Sequence, residues 1–347
     1  MHAFPEKQYC PARVMNQTDS MKDSAKWAVI VVTGFVPVLL WLSHISAPVF
    51  PYANLAVALS PLIPVWLVVR WRLERTTAFR LMFVVAAAFA LLTFVTHFGN
   101  GLTDERWSLP ADGHLLWHGK NPYATLHYVF DAQTGQLQNV EYMWEFPLTA
   151  VFAWPFVDYA VPMLLCWLGM CWVLRDRLAG LFVATPFVSL LAVNGFGDYA
   201  PLLLLSIAYT YQSRAWWTEY LAVGFKQFAA AIAVVRRLLQ RDWWGAVALT
   251  GFIAAVCLPF FLWNPTAFTC EALTFQVPSW CPAQSFQPHD YVTGRGLFDI
   301  NYPLWVGWIL TMWPRGVLDW VKGVVVRAKA VSHTTVARFR NPPATSR

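Results

Sequence analysis

Two adjacent carboxylates, Asp104 and Glu105, follow directly on an apolar stretch and open a polar segment that closes with Gly119-Lys120-Asn121-Pro122-Tyr123. Ionisable groups at the edge of hydrocarbon are costly, and where they occur they usually serve a purpose. A carboxylate within hydrogen-bond reach of a hydroxyl can act as a general base, which makes this pair the first place to look for chemistry. Lys226 stands in the middle of another apolar stretch, and a second polar segment carries His289 and Arg295. His114 and His118 form an i, i+4 pair that a helix would place on one face. That spacing is compatible with a divalent metal ion, although two interfacial histidines are the preferred reading. No metal ligand and no cofactor is assigned on this basis.

These residues are set in a chain that is 57% hydrophobic and 13% charged, with 20 Trp and 25 Phe, a composition that excludes an ordinary soluble domain. The net charge of +6 is spread over the ends of apolar segments and not gathered into an aromatic-interleaved patch, so nucleic acid is not an expected partner. The apolar stretches read as Trp27 to Ser43, Pro51 to Val69, Phe79 to Phe98, Leu178 to Val193, Pro201 to Gln212, Trp243 to Trp263 and Pro303 to Trp320. Two further stretches are ambiguous. Glu141 to Leu174 contains Pro155 and Pro162 and reads as two short helices or one bent one, and Trp216 to Val235 reads as one span or a hairpin at Lys226. The expected fold is an all-α integral membrane protein of about 9–10 transmembrane helices, several short or broken, with two long external loops.

Basic residues orient these segments, because Lys and Arg mark the cytoplasmic side. They occur in the opening segment 1–26 (Lys7, Arg13, Lys22, Lys26), the turn with Arg70, Arg72, Arg75 and Arg80, the turn with Arg236, Arg237 and Arg241, and the tail 321–347. The loop 99–145 holds only Arg106 and Lys120, and the loop 264–302 only Arg295. Both loops are therefore expected outside and both termini in the cytoplasm, with residues 27–320 forming one polytopic domain of the plasma membrane. Cys270 and Cys281 share the second loop, where an oxidising exterior would permit a disulfide; two free thiols fit the spacing equally well.

The run from Asp104 through Trp107 to Gly119-Lys120-Asn121-Pro122-Tyr123, then Glu145-Phe146-Pro147-Leu148, resembles the integral-membrane glycosyltransferases of the C-type superfamily, and most closely glycosyltransferase family 87. Asn194-Gly195-Phe196-Gly197-Asp198, Gly224-Phe225-Lys226-Gln227 and Leu258-Pro259-Phe260 with Asn264-Pro265 extend the likeness over about two thirds of the chain. The resemblance implies transfer of a sugar, such as mannose, from a polyprenyl-phosphate donor to a lipid or glycan acceptor at the outer face, with inversion at the anomeric carbon. Asp104 would then be the base and Glu105 a second acid that tunes it or orients the acceptor. Arg295, His289 and Lys226 would meet the charge of the leaving lipid phosphate, while Asn121 and Tyr123 would shape the substrate side of a turn at headgroup level. Trp107 stands where the family has Tyr, and Glu145-Phe146-Pro147 where it has a Tyr-Pro-Pro run. These departures keep two alternatives open: a catalytically inactive relative, and a membrane transporter or lipid-handling protein without transfer chemistry.

Overall fold

A computed structural model describes residues 17–46, 59–96, 105–125, 127–130, 137–141, 143, 145–273 and 301–313. Within them the chain is predominantly helical: α1 (Gln17–Ser46), α2 (Leu62–Arg70), α3 (Arg75–Thr96), α4 (Glu105–Trp117), α5 (Pro147–Ala153), α6 (Ala160–Leu174), α7 (Leu178–Val183), α8 (Pro186–Val193), α9 (Tyr199–Tyr211), α10 (Trp216–Val223), α11 (Gln227–Leu239), α12 (Trp243–Trp263), α13 (Pro265–Phe268) and α14 (Asn301–Met312). Between α4 and α5 lies an antiparallel hairpin, β1 (His127–Phe130) and β2 (Leu137–Glu141), in which His127 faces Glu141. The hairpin departs from the all-helical expectation.

Two helices, α3 and α12, are long and apolar enough to cross a membrane. The second is the more telling, because only 17% of its most apolar window is buried against the rest of the chain. A helix that is apolar all round must be covered by something. Val247, Leu258 and Leu262 of α12 lie open, as do Val84, Leu91 and Val95 of α3.

Several expected spans are divided, and the reason is local. Leu178 to Val193 breaks into α7 and α8 because Pro186 has no N–H to continue the first helix; Thr185 turns extended and Pro186 becomes the first residue of the second. Glu141 to Leu174 resolves into two helices, α5 and α6. Trp216 to Val235 breaks at Gly224-Phe225-Lys226, with Lys226 in an extended conformation at the start of α11. The expected polar loop 99–145 contains α4, most of whose first nine residues are buried. Asn264 ends α12 and accepts from the Ala267 amide at 3.0 Å, capping α13. Cys270 is disulfide-bonded to a cysteine outside the described residues, whereas Cys166, Cys171 and Cys257 are free.

Cross-contacts fix the directions of the helices. The Ser189 hydroxyl donates to the Ala86 carbonyl at 3.1 Å, and the Cα of Gly34 faces both Met82 and Pro186, so α3 and α8 run side by side in the same sense. Trp305 donates to Asp198 at 2.7 Å and Trp308 to Ser206 at 3.0 Å, which aligns α14 with α9 in the same way. The Arg236 guanidinium lies 4.0 Å from the Tyr209 ring centre, joining the far ends of α9 and α11. One end of the bundle gathers helix breaks and the other gathers turns. At that second end Arg72, Gln212 and Arg241 hold positive φ values of 53°, 36° and 60°. An L residue in the left-handed region costs roughly 1–2 kcal/mol, so each of these turns is strained by its side chain.

The α11–α12 turn is tied by charge. Asp242 accepts from the Gly245 amide at 2.9 Å and from Arg237 at 2.6 Å, and Arg237 also pairs with the buried Glu219. The Gly245 amide and then the Arg237 guanidinium hold the Asp242 carboxyl below its usual range. A carboxyl whose folded value is depressed stabilises the fold above its unfolded value and loses that contribution as pH falls through the folded one. Asp242→Asn keeps a good cap but loses the charge. Thermal melts in detergent should therefore show wild type above Asp242→Asn near neutral pH, with the gap closing below about pH 4. A gap that persisted in acid would locate the effect elsewhere.

Close packing of α4 on α5 rests on Gly113, where an added Cβ would sit 2.6 Å from the backbone N and Cα of Trp154. Alanine would improve helix propensity by about 1 kcal/mol. Overpacking costs about 1–3 kcal/mol when the neighbour can yield, and backbone yields least. Gly113→Ala should accordingly lower the melting temperature; an unchanged or higher midpoint would show that the two helices can separate freely.

Candidate functional site

Glu105 begins α4, Glu145 stands two residues before Pro147 opens α5, Asp198 precedes α9, and Lys226 precedes α11. Four chain breaks thus converge, and their charged side chains meet. The Lys226 ammonium donates to Glu105 Oε1 at 2.9 Å and lies 2.8 Å from Glu145 Oε1 and 3.1 Å from Asp198 Oδ1. All four side chains are buried. Of the three contacts, that with Glu105 is a hydrogen bond, and the other two are close charge contacts. Taking such charges out of water is expensive, and close pairing is what offsets the cost.

The breaks are stitched together by backbone as well. The Gly197 amide donates to Glu105 Oε2 at 2.5 Å. The amides of Phe146 and Leu148 donate to the carbonyls of Phe225 and Gly224 at 3.2 Å, and the Thr149 hydroxyl donates to Phe225 at 2.6 Å. Carbonyls left over at the end of α10 are therefore satisfied by the start of α5. Gly195 has φ +81°, and a Cβ added there would lie 2.8 Å from Arg106 Cβ and 2.9 Å from its Cα, so both its conformation and its space call for glycine. A Cβ at Gly197 would stand 3.3 Å from both Glu105 Oε2 and Glu145 Oε1, directly between the carboxylates.

A second charged contact flanks the first. Arg106 grips Asp158 with Nε at 2.8 Å and a terminal nitrogen at 2.6 Å, and its backbone carbonyl accepts from the Tyr159 amide at 3.2 Å. Two-point guanidinium–carboxylate pairing fixes orientation as well as distance. It locks the first turn of α4 to the start of α6.

The site residues expected from sequence fare differently. Asp104, His289 and Arg295 lie outside the described residues. Glu105 is not at a solvated rim; it is buried and ion-paired, because the break at Gly197 and the ammonium of Lys226 supply its partners. Lys226 neither snorkels nor sits in mid-span, since the helix is interrupted at its position and its head is enclosed by acids. Tyr123 is not a headgroup-level residue: it is buried, its hydroxyl donates to the Glu145 carbonyl at 2.5 Å, and its ring stands edge-on to Phe260 and Phe268. Asn121 is buried too and accepts from the Tyr123 amide at 3.0 Å, forming the turn that delivers Tyr123 to Glu145. His118 contacts the His114 carbonyl through Nδ1 at 2.7 Å, and both rings are exposed. Among the described residues no group of three metal-ligating side chains is placed to hold an ion.

Glu145 and Asp198 were missed as partners of Lys226. A lysine inside an apolar stretch requires acids from elsewhere, and these two stand beside helix starts in otherwise apolar sequence; that was the available signal. Comparison with family models, with curated proteins and with solved structures returned no match.

Lys226→Met removes the one ammonium that three buried carboxylates share. Losing one partner of a buried ion pair costs about 3–5 kcal/mol, so the folded yield in detergent should collapse. Adding Glu145→Gln to that variant should recover part of it, because one uncompensated charge is gone. Size-exclusion profiles in which Glu145→Gln worsened Lys226→Met would show that the pairing is not the stabilising contact.

Proposed function

We propose that the chain is a polytopic membrane glycosyltransferase that moves a sugar from a polyprenyl-phosphate donor to a lipid or glycan acceptor. The observation that carries this reading is convergence. Segments that resemble the family's motifs, spread along the chain at Glu105, Asn121 to Tyr123, Glu145 to Leu148, Asn194 to Asp198 and Gly224 to Gln227, meet around one ammonium. That convergence is what supports the reading.

In this reading Asp104 is the catalytic base, one peptide bond from the anchored Glu105. It takes the proton of the acceptor hydroxyl while that oxygen attacks the anomeric carbon and the bond from that carbon to the lipid phosphate breaks. Inversion follows from attack opposite the leaving group. The charge left on the phosphate is met by Arg295 and His289. Glu105 and Lys226 have positioning roles: buried and paired, they fix the start of α4. Asn121 and Tyr123 hold the same frame from the other side, through the Glu145 carbonyl. The polytopic architecture, the outward-facing site and the plasma-membrane location belong to this proposal, supported by α3 and α12.

One observation favours a second reading. Charged side chains at converging helix breaks are how many secondary transporters build their binding sites, so the same cluster suits a transporter or lipid-handling protein.

Reconstituted protein supplied with radiolabelled polyprenyl-phosphate sugars and candidate acceptors separates the two. Label should pass covalently to the acceptor, and Asp104→Asn should lower turnover by about 100-fold or more, the usual loss on removing a general base. Transfer by Asp104→Asn at the wild-type rate would remove the assigned base. Movement of intact donor across the bilayer without transfer would replace the enzyme by the transporter.

A further inference from the structure

The end of the bundle opposite the acid–lysine cluster carries a surface that the transfer reading does not use. Helices α9 and α11 start at the cluster, from Asp198 and Lys226, and run away from it to Gln212 and Arg241. Their far ends are held together by Arg236 over Tyr209. Helix α3 runs toward the cluster alongside α8, so its start, with Arg72 and Arg75, also lies at the far end.

Here Trp216, Trp217, Trp243 and Trp244 are all exposed, the last by 84%. Exposed tryptophans of this kind settle at the membrane–water boundary, where an apolar ring with one polar edge is best solvated. Beside them Arg214 and Arg241 are exposed, and among the described residues neither is in a salt bridge, unlike Arg237. Their guanidinium groups lie at the end that the tryptophans mark.

The backbone gives an independent indication. Arg72 and Arg241 occupy the left-handed region at φ 53° and 60°, each at the tip of a tight turn between two helices. Glycine takes up that conformation without strain. Of the three such positions at this end two are arginine and the third is Gln212, so at two turn tips a cation is held against the conformational preference of its own backbone. Residues in strained conformations persist where function requires the side chain.

We infer that this end of the protein is a docking surface for anionic phospholipid headgroups, with Arg72 and Arg241 as the turn-tip contacts and the four tryptophans fixing the depth of insertion. Guanidinium matches the phosphate of a lipid headgroup in geometry and charge, and anionic lipids concentrate on one leaflet, where basic residues near the surface are drawn to them.

Strain and binding make opposite predictions for the same substitution, which is what makes the inference testable. Wild type and Arg72→Gly/Arg241→Gly are placed in nanodiscs of phosphatidylcholine alone or with phosphatidylglycerol, and thermal midpoints are compared. In phosphatidylcholine the double variant should melt higher than wild type, since the strain is relieved. Adding phosphatidylglycerol should raise wild type by about 2 °C or more and the double variant by less than half as much, with Arg72→Lys/Arg241→Lys in between. An equal rise in wild type and the glycine variant would overturn the assignment. So would an equal rise in phosphatidylcholine on adding inorganic phosphate, which would make the ligand a free ion and not a lipid. A glycine variant that melted lower than wild type in phosphatidylcholine would remove the strain argument and with it the inference.

Discussion

A single ammonium group holds this protein together. Lys226 is within 3.1 Å of three carboxylates that come from three other chain breaks, and each of those breaks would be an unfavourable place for the backbone if it stood alone. An interrupted helix leaves amides and carbonyls unsatisfied. Here they are satisfied crosswise: carbonyls at the end of α10 by amides at the start of α5, and a Glu105 oxygen by the amide of Gly197. Charge brings the breaks together and backbone hydrogen bonding then uses the proximity.

This arrangement explains why small residues crowd the same region. Gly197 leaves room for two carboxylates to approach one another, Gly195 turns the chain past Arg106, and Gly113 lets α4 lie against the backbone of Trp154. None of the three contributes a functional group. Each sets how near charged or backbone groups can come, and electrostatic interaction in a poorly polar interior falls off with that distance. The same logic applies to Tyr123, whose hydroxyl reaches the Glu145 carbonyl because Asn121 has already turned the chain.

Much of this was legible in sequence, and the remainder was not for identifiable reasons. The bounds of α12, Trp243 to Trp263, follow from hydropathy because nothing interrupts the run, Asp242 caps its start and Asn264 leaves it to begin the next helix. The split of Leu178 to Val193 was less visible, since Pro186 is compatible with a kink as well as a break. Helix α4 was hidden by Pro110 and Gly113, residues that argue against a helix unless tertiary contacts impose one. Glu105 and Lys226 stood out as costly residues, but their pairing spans 121 residues of chain and no local pattern encodes it. Tyr123 has an apolar body and a polar tip, and sequence gives no means of choosing between an interface and a buried acceptor.

The order in which the cluster's members are made has a consequence for biosynthesis. Glu105, Glu145 and Asp198 all leave the ribosome before Lys226, and the last arrives 121 residues after the first. At about 5–20 residues per second, that interval is roughly 6–24 s. Over that interval Glu105 is joined first by Glu145 and then by Asp198, all made before the ammonium that they share. A chain that stops short of Lys226 keeps these carboxylates without their shared ammonium, so the cluster is complete only once Lys226 has been made.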